Sequence, residues 1–77
     1  MNRNEITVRF AELTDQMEQV NTSLKTKRFY AIQEYRNGKL FDFGMYDGVR
    51  KKYVICNVSA TDAENALSEI QSMVNQS

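Results

Sequence analysis

The alternation of apolar and polar positions along the chain predicts five elements. Ile6, Phe10, Leu13, Met17, Val20 and Leu24 recur at steps of four, three, four, three and four residues. That spacing keeps all six on one stripe of a helix about five turns long. Glu12, Asp15, Glu18 and Gln19 fall on its other faces. Ile6, Val8 and Phe10 also alternate with polar residues, as a short strand would, but the helical period absorbs more of the chain.

Two strands are expected next, Phe29 to Arg36 and Lys39 to Tyr46, both rich in aromatic and β-favouring residues. Asn37-Gly38 lies between them. Both residues tolerate the positive φ angles of a two-residue type I′ turn, which makes this pair a strong hairpin signal. The turn sets Arg36 opposite Lys39, Glu34 opposite Phe41, Ile32 opposite Phe43 and Tyr30 opposite Met45 on one face. The other face then carries Phe29, Ala31, Gln33 and Tyr35 opposite Tyr46, Gly44, Asp42 and Leu40. A third strand is expected from Lys52 to Val58, after a turn marked by Asp47-Gly48. A tight turn there would spend the apolar face on Arg50 and Lys52. A longer loop, setting Val54 opposite Phe43 and Cys56 opposite Phe41, follows the buried pattern.

The last element is a helix. Thr61-Asp62-Ala63-Glu64 reads as a capping box, with the Thr61 hydroxyl accepting from the Glu64 amide and the Glu64 carboxylate reaching back. Ala63, Ala66, Leu67, Ile70, Met73 and Val74 then form one apolar stripe. The expected fold class is α+β: a two-layer α-β-β-β-α domain, a three-stranded antiparallel meander with two helices. This order is similar to that of the double-stranded-RNA-binding domain. That family places lysines at the start of its second helix, where this chain has Thr61, Asp62, Ala63 and Glu64, so the likeness is one of element order and carries no function.

Length confines the chain to one domain, residues 1–77, with polar ends at 1–4 and 75–77 expected to be loose. A domain of this size buries roughly 60% of the surface its unfolded chain exposes, so the core is thin. At 42% hydrophobic residues and net charge zero, the composition is that of a folded chain. The longest unbroken apolar run is Tyr53 to Cys56, so no membrane span is expected, and no N-terminal apolar stretch suggests a secretory signal. The single cysteine, Cys56, cannot close an intrachain disulfide, which fits a cytoplasmic setting. Three Asn-x-Ser/Thr triplets, beginning at Asn21, Asn57 and Asn75, therefore read as coincidental.

The absence of His, Trp and Pro removes the common zinc sites and the Ser-His and Cys-His catalytic pairs. Glu34 and Asp42, on opposite faces of the expected hairpin, cannot act as an acid/base couple. Gly38, Gly44 and Gly48 are scattered and build no phosphate-cradling loop. No enzyme activity, cofactor or metal is expected, and Cys56 reads as an inert core thiol.

Two surfaces remain as candidates. Tyr30, Ile32, Phe41, Phe43, Met45, Val54, Cys56 and Val58 form the better core face, expected to receive both helices. The second face carries Phe29, Tyr35, Leu40, Tyr46, Tyr53 and Ile55, relieved only by Gln33, Asp42 and Asn57. That is too apolar for a solvated sheet face. Either one helix covers each face, or this face meets another protein, most simply a second copy in a homodimer. The interface is the preferred expectation. The other surface is basic: Lys25, Lys27, Arg28, Arg50, Lys51 and Lys52 should converge at one end of the sheet around Asp47. A local cation cluster can hold phosphates whatever the total charge, and aromatic neighbours suit single-stranded nucleic acid. The expected function is thus a small regulatory or interaction module binding protein through the aromatic face, with nucleic-acid binding at the basic end as the alternative.

Overall fold

The computed structural model describes residues 2–36, 39–57 and 60–77, and the side chains of all of these except 34–36, 39–41, 57 and 60. Helix α1 spans Arg3–Thr22, strand β1 Phe29–Arg36, β2 Lys39–Asp47, β3 Lys52–Asn57, and helix α2 Ala60–Asn75. The strands form one antiparallel sheet in the order β1-β2-β3, giving the α+β order α-β-β-β-α anticipated from the periodicities.

The start of α1 is fixed by a cap. Asn2 Oδ1 accepts from the Glu5 amide at 2.9 Å, and Asn2 Nδ2 donates to Glu5 Oε1 at 3.0 Å. One of the orphan amides of the first turn is thereby satisfied, and residues 2–4 are held to the helix where composition suggested a loose end. The strand alternative at residues 6–10 gives way to this helix. Phe10, Leu13 and Met17 are buried, and Ile6 and Val20 pack at the rim of the core. The helix ends at Thr22, two residues before the expected end of its stripe, and Leu24 lies 42% exposed beyond it. In α2 all six stripe residues, Ala63, Ala66, Leu67, Ile70, Met73 and Val74, are buried. This helix begins at Ala60, so Thr61 sits inside its first turn and the capping box expected at Thr61 does not mark the helix start.

Both helices cover the same face of the sheet. Their stripes join Phe29, Phe43, Met45, Val54 and Cys56 in one core cluster, with the Phe10 and Phe43 rings 4.9 Å apart. Across the helix pair, Gln71 accepts from Arg9 at 3.0 Å and donates to Gln16 Oε1 at 2.7 Å, which closes the outer side of the helical layer.

The hairpin register departs from expectation at one point. Arg36 pairs with Lys39 and Tyr35 with Leu40, as a two-residue connection requires, while the turn residues Asn37 and Gly38 lie outside the described residues. Between Glu34 and Tyr35 the register shifts by one, and a bulge follows. From there Glu34 pairs with Asp42, Gln33 with Phe43, Ile32 with Gly44, Ala31 with Met45, Tyr30 with Tyr46 and Phe29 with Asp47. Successive strand residues point to opposite faces, so a one-residue shift exchanges every side chain of that stretch. Phe29 turns into the core and Tyr30 turns out. The same shift makes Glu34 and Asp42 register partners, which corrects their expected separation on opposite faces. In β2 and β3 the faces agree with the sequence pattern, but Val54 pairs with Met45 and Cys56 with Phe43. The pairing is thus two residues out of the expected register, the four-residue loop falls at 48–51, and it closes through Lys51 in the left-handed region (φ 55°).

Gly44 occupies the middle of the open face, between its partners Ile32 and Ile55. A Cβ built there would collide with the Val54 carbonyl oxygen. Gly44→Ala is expected to lower stability by about 1–3 kcal/mol, as overpacked sites do, read as an earlier midpoint in urea. An unchanged midpoint would show that the strands do not approach as closely as described.

Candidate interaction face

Strand alternation and register together arrange the uncovered face in rows. Nearest the loop end, Tyr30, Tyr46 and Tyr53 lie side by side across the three strands. Their ring centroids are 6.1 Å apart from Tyr30 to Tyr46 and 4.4 Å from Tyr46 to Tyr53, in tilted contact. The next row is Ile32, Gly44 and Ile55. Tyr30 is 40% exposed, Tyr53 61% and Ile55 55%, while Tyr46 is half-buried between its neighbours. The apolar stripes of both helices are spent on the opposite face, and only at the β3 edge do Tyr53 and Ile55 border a groove with Asp62, Asn65 and Glu69 of α2.

Of the residues expected to anchor an interface, Tyr46, Tyr53 and Ile55 lie on this face. Phe29 does not: it is 1% exposed and belongs to the core. The reason is the bulge, which the unbroken alternation of β1 cannot reveal. Tyr30 takes the place assigned to Phe29, and sequence reasoning put it in the core for the same reason. Tyr35 and Leu40 pair with each other in register, and their side chains lie outside those described.

At the loop end, Asp47 is completely buried and collects four donors. Arg28 Nε donates to Oδ1 at 3.0 Å and an Arg28 terminal nitrogen to Oδ2 at 3.1 Å. The amides of Val49 and Arg50 donate to Oδ1 at 2.9 and 3.3 Å. Burial alone pushes the Asp47 carboxyl up, but the Arg28 guanidinium and the two loop amides together outweigh burial and hold it below the ordinary value. A backbone bond from Gly48 N to Arg28 O, 2.7 Å, completes the junction between the loops. On the α1 side, buried Asn21 accepts from the amides of Arg28 (3.0 Å) and Phe29 (2.9 Å) and donates to the Phe29 carbonyl (2.8 Å).

The six expected cations thus divide in two. Arg28 is committed to Asp47. Arg50 lies 3.9 Å from the same carboxylate and donates to Gln76 Oε1 at 2.9 Å. Lys52 pairs with Glu69 of α2 at 3.0 Å, an acidic neighbour the sequence did not place here. Lys25 and Lys51 are exposed, and Lys27 Nζ lies over the Tyr30 ring, 5.0 Å from its centroid. Beside them a groove of about 540 Å³ is bounded by Lys27, Tyr30, Tyr46, Gly48 and Val49.

No protein-family model, curated protein or solved structure matches this chain. Among the described residues no helix is long and apolar enough to cross a membrane.

Removing the charge of Asp47 leaves the mostly buried Arg28 guanidinium without its counter-ion. Asp47→Asn is expected to cost about 3 kcal/mol in denaturant unfolding at neutral pH. Because the folded carboxyl is held below its ordinary value of 3.8, its contribution is complete above that pH. It is lost as the pH falls through 3.8 toward the lower folded value. The loss of stability with acid should therefore be shallower in the variant. Parallel acid profiles would contradict this role for Asp47.

Proposed function

We propose that this chain is a small, non-catalytic interaction module of the cytoplasm that pairs with a second copy of itself through the outer face of its sheet. The observation that carries this reading is the exposure of Tyr30, Tyr53 and Ile55 on a face that neither helix covers. Contiguous exposed apolar surface of this kind on a small domain marks an interaction site. Tyrosine suits it, since the ring is apolar and the hydroxyl stays hydrated before the partner arrives.

A second copy is favoured because the described centre of the face carries no exposed charge. Ile32, Gly44, Ile55, Tyr46 and Tyr53 present no charge to their own image across a two-fold axis, Lys27 over Tyr30 lies at the edge of the face, and self-complementary two-fold pairing is the commonest closed assembly. The cytoplasmic setting rests on Cys56, a single thiol placed in the core.

Sedimentation equilibrium over a range of concentrations tests the proposal. The chain is expected to reach twice the 9.0 kDa of one copy. The double variant Tyr53→Ser/Ile55→Ser should remain at the single-chain mass and stay folded, with a stability within about 1 kcal/mol of wild type at dilutions where both are single chains, as exposed sites allow. A wild-type chain that stays single at the highest concentration would overturn self-association, and a variant that unfolds would show that these residues are core.

A further inference from the structure

We infer that the loop end beside Tyr30 binds single-stranded nucleic acid, with a base stacked on Tyr30 and phosphates held by Lys25, Lys27 and Lys51; Tyr30 edges the face proposed for pairing, so a strand and a second copy compete there. The two loops are locked together by the Gly48–Arg28 backbone bond and the Arg28–Asp47 pair, so cations from distant parts of the chain share one edge. Lys52 is neutralised by Glu69, and Arg28 and Arg50 share the carboxylate of Asp47, while Lys25, Lys27 and Lys51 belong to the same two loops. The end is strongly positive although the chain as a whole is neutral.

Lys25, Lys27 and Lys51 make no ion pair among the described residues. An anion arriving there breaks no ion pair. Lys27 borders an open groove whose wall is formed by Tyr30 and Tyr46. Gly48 backs onto the ring edges of Tyr30 and Tyr46 without filling the groove, since even a Cβ there would lie 3.7 and 3.9 Å from them. Val49, 66% exposed, forms an apolar rim. Lys27 now covers the Tyr30 ring as a cation–π partner. A base taking that place leaves the ammonium at the edge of the stack, where the phosphates run. Cations that follow a backbone, combined with exposed rings that accept any base, are the recognition elements of single strands. A duplex offers the phosphates but hides the faces of its bases.

Fluorescence anisotropy with labelled oligo(U) and oligo(dT) at low salt tests the inference on the whole chain. Binding is expected to weaken with salt with a logarithmic slope of about −2 to −3, as for three or four single-strand phosphate contacts. Lys27→Ala/Lys51→Ala should reduce affinity by about tenfold or more and flatten that slope. Tyr30→Leu should reduce affinity by about tenfold and leave the slope unchanged, which separates stacking from charge. Ile55→Ser, one row away and on the proposed dimer surface, should bind at least as tightly as wild type, so loss of pairing and loss of nucleic-acid binding are read separately. Circular dichroism confirms that each variant is folded. Absence of binding at low salt, equal binding of duplex DNA or of polyglutamate, or wild-type binding by Lys27→Ala/Lys51→Ala or by Tyr30→Leu would each overturn the inference.

Discussion

The fold turns on the carboxylate of Asp47. It is the last residue of β2, fully buried, and it holds Arg28 from one loop and the amides of Val49 and Arg50 from the other. A buried ion pair adds little net stability over an apolar pair of the same volume, because desolvation offsets most of the attraction. Its consequence here is registry. Phe29 must lie opposite Asp47 for Arg28 to reach it, and Asn21 seconds that choice by binding the backbone of Arg28 and Phe29 from the end of α1.

The opposite end of the hairpin obeys a different rule. Arg36 pairs with Lys39 across two residues, and counting inward from that pair puts Tyr30, not Phe29, on the core side. The two ends of β1 are out of step by one residue, and the bulge between Glu34 and Tyr35 absorbs the difference. The outcome suits both side chains. Phe29, with no polar atom, enters the core, and Tyr30 keeps its hydroxyl outside, where it donates to the Lys27 carbonyl at 3.2 Å.

Much of this architecture is legible in the sequence. The stripe of α2, the main part of the α1 stripe, the three strands and the faces of β2 and β3 follow from periodicity, because each is decided by which side chains avoid water. What escaped was decided by single polar contacts between distant residues. The bulge follows from Asp47 and Asn21 acting on Arg28 and Phe29, and nothing in the alternation of β1 announces it. The pairing of Lys52 with Glu69 needs α2 beside β3, a tertiary fact. So the alternation of β2 and β3 puts Tyr46, Tyr53 and Ile55 on the outer face, while the exchange of Phe29 for Tyr30 has no signal in the alternation of β1. That exchange also brings Tyr30 beside the loop cations.

A one-sided helical layer and a one-residue bulge together leave a row of tyrosines open to a partner. An isotope-filtered nuclear Overhauser spectrum tests this most directly, because it separates contacts within a chain from contacts between chains. Intrachain contacts are expected from Phe29, Met45 and Val54 to the buried residues of α1 and α2, and none from Tyr30 or Tyr46 to either helix. Intrachain contacts between Tyr30 or Tyr46 and a buried helix residue are the contrary result.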